Sequence, residues 1–155
     1  MKYLIRLGAL LLATVSTLVA SSAMAQSNEP KTPEGKLAAK AGPYLASAEY
    51  IKVFKQSKCA YALKKKFPTL NELLVAEVLP AFTKEGAAEL KSAIEQSHPT
   101  IEKQAKEIVG KMIYAAQKEH DEKTGCGVAA GLLAGIGSRT QDEWNIAKKQ
   151  YGAGK

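Results

Sequence analysis

The chain has 155 residues, 22 basic and 15 acidic, a formal net charge of +7, and 46 % apolar and 6 % aromatic side chains. That length and composition support one domain around one core. Its only arginines are Arg6 and Arg139, and base recognition leans on arginine's planar fork, which argues against a nucleic-acid partner.

Met1–Ala25 has the three parts of a secretory signal peptide. Lys2 and Arg6 form the positive start, Leu7–Ala20 the apolar stretch, and Ala23-Met24-Ala25 the small-x-small cleavage site. The apolar stretch falls short of the ~20 residues that span a bilayer, so no integral anchor is expected after cleavage. No cysteine stands beside the cleavage site to carry a lipid. The pattern implies bacterial export, with a mature chain beginning at Gln26 in the periplasm or, second, fully secreted. Cleavage leaves twenty basic residues, nineteen of them lysines, against fifteen acids. This reads as a solvated surface with a slight positive bias, or as contact with an acidic partner or anionic envelope surface.

Residues 26–42 are polar and punctuated by Pro30, Pro33, Gly35 and Gly42, which predicts a flexible arm, partly helical around Leu37–Lys40. From Pro43 to Gly152 the pattern is helical, and residues 153–155 read as a frayed tail. Leu45–Lys66 carries Leu45, Ala48, Ile51, Phe54, Cys59, Ala62 and Leu63 among charges, which predicts one long helix or two with a bend. Lys64, Lys65 and Lys66 would close it, complementing the dipole, or would form an anion-binding patch. Thr69 and Glu72 spell a capping box. It opens an apolar helix through Leu70, Leu73, Leu74, Val78 and Leu79, ended or kinked by Pro80 and expected to be the central one. Thr83 caps a surface helix over Lys84–Ser97.

Ser97-His98-Pro99 then predicts a new helix start. Over 100–123, Ile101, Ala105, Ile108, Val109, Met112, Ile113 and Ala116 fall within an arc of about 140°. Gly125 is the expected left-handed stop. In Cys126–Gly137, Gly127, Gly131 and Gly135 recur every fourth residue, which predicts a buried helix packed closely on a neighbour, or a pocket or partner surface at the glycine face. Thr140 and Glu143 predict a second capping box opening a short last helix with Trp144 and Tyr151. Five or six helices, no alternation of period two and no repeat give an all-α domain.

Cys59 and Cys126 stand 67 positions apart, a spacing that excludes CxxC redox motifs, CxxCH haem attachment and a four-ligand zinc cluster. In an oxidising compartment the pair predicts one long-range disulfide, which contributes about 4 kcal/mol in the chain-entropy model. Glu119-His120-Asp121-Glu122 resembles a metal cluster, but consecutive helical residues diverge by about 100°, so a solvated helix end is expected. His98 reads as a turn residue. No nucleophile elbow or phosphate loop occurs. The expectation is therefore a non-enzyme without cofactor or metal: an exported protein-binding domain, of inhibitor or immunity type, docking another envelope or secreted protein through Lys64, Lys65 and Lys66 or through Trp144 and Tyr151. A periplasmic chaperone that exposes apolar helices conditionally is the alternative. A small enzyme or ligand carrier with a cavity beside the glycine face comes third.

Overall fold

The structure is a computed structural model and describes residues 30–153; the signal-peptide reading, residues 26–29 and the end of the tail lie outside them. Among the described residues there are four α-helices and no strand. These are α1 (Pro33–Lys55), the single turn α2 (Leu70–Leu73), α3 (Lys84–Glu119) and α4 (Glu122–Tyr151). The all-α reading holds, with fewer and longer helices than expected.

Each merger has a physical reason. The start of α1 lies ten residues before the expected boundary at Pro43. Thr32 caps it, its hydroxyl accepting the Gly35 N–H at 3.1 Å, and Pro33 takes the first position, where a missing N–H is harmless. Leu37 and Ala41, assigned by sequence to a flexible arm, are fully buried. Their burial offsets the helix bond that Pro43 removes inside α1. Pro99 is likewise absorbed within α3, because Leu90, Ile94, Ile101, Ala105 and Val109 form one buried stripe across it. The stop falls at His120, whose extended backbone leads directly into Asp121, the cap of α4. Gly125 is therefore helical rather than a left-handed stop. Thr140 caps nothing: its hydroxyl donates to the carbonyls of Ile136 and Gly137 inside α4. Glu143 instead accepts from Lys40 and Arg139.

The Thr69–Glu72 capping box forms as the sequence predicts, with Glu72 Oε2 accepting the Thr69 N–H at 2.7 Å and Thr69 Oγ1 accepting the Glu72 N–H at 3.2 Å. Beyond it the helix does not run to Pro80. It widens into a π turn over Leu74–Val78, then tightens into a 3₁₀ turn at Leu79–Ala81. Pro80 has no N–H to offer the Ala76 carbonyl, and the chain changes its bonding pitch there.

Two apolar clusters define the bundle. One joins Leu37, Ala41, Tyr44 and Leu45 of α1 to Leu73, Leu74, Val78 and Phe82, to Leu90 and Ile94 of α3, and to Trp144 and Ala147 of α4. The other joins Tyr50, Val53 and Phe54 to Ala105, Val109 and Ile113, and to Cys126, Ala129 and Leu133. The start of α1 thus meets the start of α3 and the end of α4, so α1 and α3 run parallel and α4 antiparallel to both. The central helix is α1, buried nearly all round from Tyr44 to Phe54, not the Leu70–Leu79 segment. A parallel pair needs a returning connection, and residues 56–83 provide it along the bundle. No described helix is long and apolar enough to cross a membrane.

Candidate functional site

The Cys59–Cys126 disulfide is formed, with Cα atoms 5.1 Å apart and both residues fully buried. It ties the loop after α1 to the first turns of α4, and the Gln117 side-chain amide of α3 lies against both sulfurs. Ser57 shapes the same loop, donating its hydroxyl to the Phe54 carbonyl and accepting the Cys59 N–H. Those contacts, followed by a 3₁₀ turn at Ala60–Ala62, end α1 well before the three-lysine run. Lys64, Lys65 and Lys66 are accordingly in an exposed loop rather than at a helix end.

Trp144 is 0 % exposed. It lies near-parallel between Tyr44 and Phe82, with ring centroids 6.2 and 6.5 Å away, and its indole N–H has no partner among the described residues. Tyr44 donates its hydroxyl to Glu77 Oε2 at 3.0 Å, and burial, then this carboxylate, pushes its phenol well above the ordinary range. Tyr151 is half-buried, with the Lys36 ammonium 5.5 Å from its ring centre. Of the two expected anchors, Trp144 is core and Tyr151 packs against the edge of that core.

The glycines divide differently from expectation. Among the described residues, a Cβ on Gly127, Gly131 or Gly135 would meet nothing within 4 Å, so these three face open space rather than one of the described helices. Val128 and Leu132 beside them are 36 % and 39 % exposed, and α4 carries no charge from Thr124 to Ser138. Close packing occurs instead at Gly125, where a Cβ would come within 2.9 Å of the Gln117 Cα. That approach lets α3 and α4 turn sharply at their shared end.

Sequence reading passed over Glu49. It is 1 % exposed, accepts from Lys52 Nζ at 2.7 Å, and lies 3.9 Å from Nε2 of His98, which is inside α3 rather than in a turn. Glu49 holds the Lys52 ammonium above its ordinary pKa through that hydrogen bond. Glu49 is one of three buried polar residues among those described, with Ser47 and Thr140, whose hydroxyls donate to backbone carbonyls, and its chain neighbours Ala48 and Tyr50 belong one to each apolar cluster. Glu49 is the only charged residue from Ala41 to Ile51, and that isolation was the signal for it.

Among the described residues, no three His, Cys, Asp or Glu side chains are grouped to hold a metal ion. Asp121 of the His120 run is a helix cap, accepting the N–H groups of Lys123 and Thr124, and the Thr124 side chain leads the contacts that lower its pKa. A cleft of about 390 Å³ opens between the π turn and the end of α4, lined in part by Glu77, Pro80 and Lys148, but the Glu77 carboxylate is engaged by Tyr44. Comparison with protein-family models, characterised proteins and solved structures finds no match.

Proposed function

We propose that this chain is an exported, non-enzymatic protein-binding domain that docks a second protein on the open face of α4. The observation that carries the reading is the uncharged surface around Gly127, Val128, Gly131, Leu132 and Gly135, with no neighbour over the glycines among the described residues. Each glycine inside an exposed helix costs up to about 1 kcal/mol relative to alanine. Three in register have a use where another backbone comes close. The buried disulfide supports the export reading, since such bonds persist in oxidising compartments.

Crosslinking of the mature chain in its native envelope, followed by mass spectrometry, tests this proposal beside a Gly131→Leu variant. The open space at Gly131 lets the variant fold. The expected result is one near-stoichiometric partner that the variant loses. A partner retained by the variant removes the α4 face from the reading, and many substoichiometric clients point to the chaperone instead.

A further inference from the structure

From Tyr50 to Asn71 the sequence contains six lysines (Lys52, Lys55, Lys58, Lys64, Lys65 and Lys66) and no acid. The rest of the chain holds sixteen basic residues against fifteen acidic ones. The protein's positive charge is therefore not a general surface bias. It resides almost wholly at the end of α1 and in loop 56–69.

The fold turns that concentration outward. Ala62 and Leu63 pack inward on the second apolar cluster, and Cys59 is buried in its disulfide. Lys55, Lys58, Lys64, Lys65 and Lys66 are exposed. Lys58 pairs with Glu122 at 3.3 Å, whereas Lys55, Lys64, Lys65 and Lys66 have no carboxylate within salt-bridge distance among the described residues. Two aromatic rings lie among them. Tyr61 is 54 % exposed, and the Lys55 and Lys65 ammoniums sit 5.7 and 5.9 Å from the ring centre of Phe67. The disulfide and the Ser57 bonds hold this loop on the bundle before any partner arrives.

We propose that loop 56–69 docks on an anionic phospholipid surface, with Lys55, Lys64, Lys65 and Lys66 over the headgroups and Tyr61 at the interface. The residue type selects this occupant. Lysine is a hydrated point charge on a flexible stem and is depleted from protein–protein interfaces, whereas arginine, absent from the segment, makes the directional forks of stereospecific contacts. Clustered lysines are attracted by the diffuse potential of an anionic bilayer, and aromatic rings favour its headgroup region. The inference does not depend on docking at the open face of α4.

Co-sedimentation of the mature chain with vesicles of phosphatidylglycerol and phosphatidylcholine in equal parts tests the inference, with pure phosphatidylcholine vesicles alongside. The mature chain is expected to partition onto the anionic vesicles, to leave the neutral ones, and to dissociate in about 0.5 M salt, where screening shortens to a few ångströms. A K64Q/K65Q/K66Q variant is expected to lose about a hundredfold in partitioning. A K84Q/K91Q/K103Q variant, with the same change in net charge on α3, is expected to lose far less. Melting curves check that both variants fold. Failure of the mature chain to bind the anionic vesicles overturns the proposal, as does an equal loss in the two variants. Displacement by polyglutamate at matched charge concentration also overturns it, and makes the patch a site for an acidic protein.

Discussion

The ion pair of Glu49 and Lys52 is lopsided: the carboxylate is buried and the ammonium is half in water. Removing one partner therefore differs from removing the other. Lys52→Met leaves a buried carboxylate with only the half-exposed His98 nearby, and is expected to destabilise the protein by about 1–3 kcal/mol. Glu49→Met leaves a lysine that can turn to solvent and places apolar atoms between two apolar clusters, so it is expected to cost less. Urea unfolding of both variants measures the difference, and a greater loss for Glu49→Met would contradict this account. The polar character of Glu49 is plain in the sequence. Its burial is not, because a neighbour such as His98 lies on α3, far along the chain.

At the scale of the element, α4 carries two kinds of glycine with opposite expected responses. Gly125 sits where the Gln117 backbone comes too close for a side chain, so Gly125→Ala is expected to force the α3–α4 turn apart and cost about 1–3 kcal/mol. Gly131 faces open space, and Gly131→Ala is expected to stabilise the isolated protein by up to about 1 kcal/mol. If the proposed docking holds, that variant gains stability and loses affinity, a trade familiar where a surface is kept for binding. Thermal melts of the two variants check the signs. The four-residue spacing of the glycines was legible, but which side of the helix it faced was not. Periodicity places residues on one stripe, and only the neighbouring helices decide whether that stripe is inside. The helix ends show the same division. Thr69, Thr83 and Asp121 cap through contacts within a few residues, whereas Pro43 and Pro99 broke the local pattern without breaking the helices.

Across the whole molecule, acid acts on carboxylates that the fold holds in their charged form. Glu72 is lowered by the Thr69 N–H, Glu102 by Lys106, Glu107 by Lys111, Asp121 by Thr124, and Glu143 by Lys40. A group whose pKa is lower folded than unfolded contributes stability above its unfolded value, and that contribution disappears as pH falls through the folded one. Their ordinary values are 4.5 for glutamate and 3.8 for aspartate. The melting temperature is therefore expected to hold from neutral pH to about pH 5 and to fall below about pH 4, as protonation also adds to an already positive net charge. Circular dichroism melts between pH 7 and pH 3 measure this. A loss confined to the range above pH 5 would assign the sensitivity to other groups.

The sequence by itself determined what depends on neighbours along the chain. Helical periodicity, the caps at Thr69 and Thr83, the concentration of lysines between Glu49 and Glu72, and a cysteine pair fit for one disulfide are all written within short stretches or in residue counts. Tertiary structure decided what depends on burial. It extended α1 back to Pro33 by covering Leu37 and Ala41, carried α3 across Pro99, made α1 rather than the Leu70–Leu79 segment the centre, enclosed Trp144, and left Gly127, Gly131 and Gly135 uncovered. The reason is energetic: removing apolar surface from water outweighs the lost bond of a helix-interior proline. That burial comes from residues far apart in the chain, so no local pattern records it.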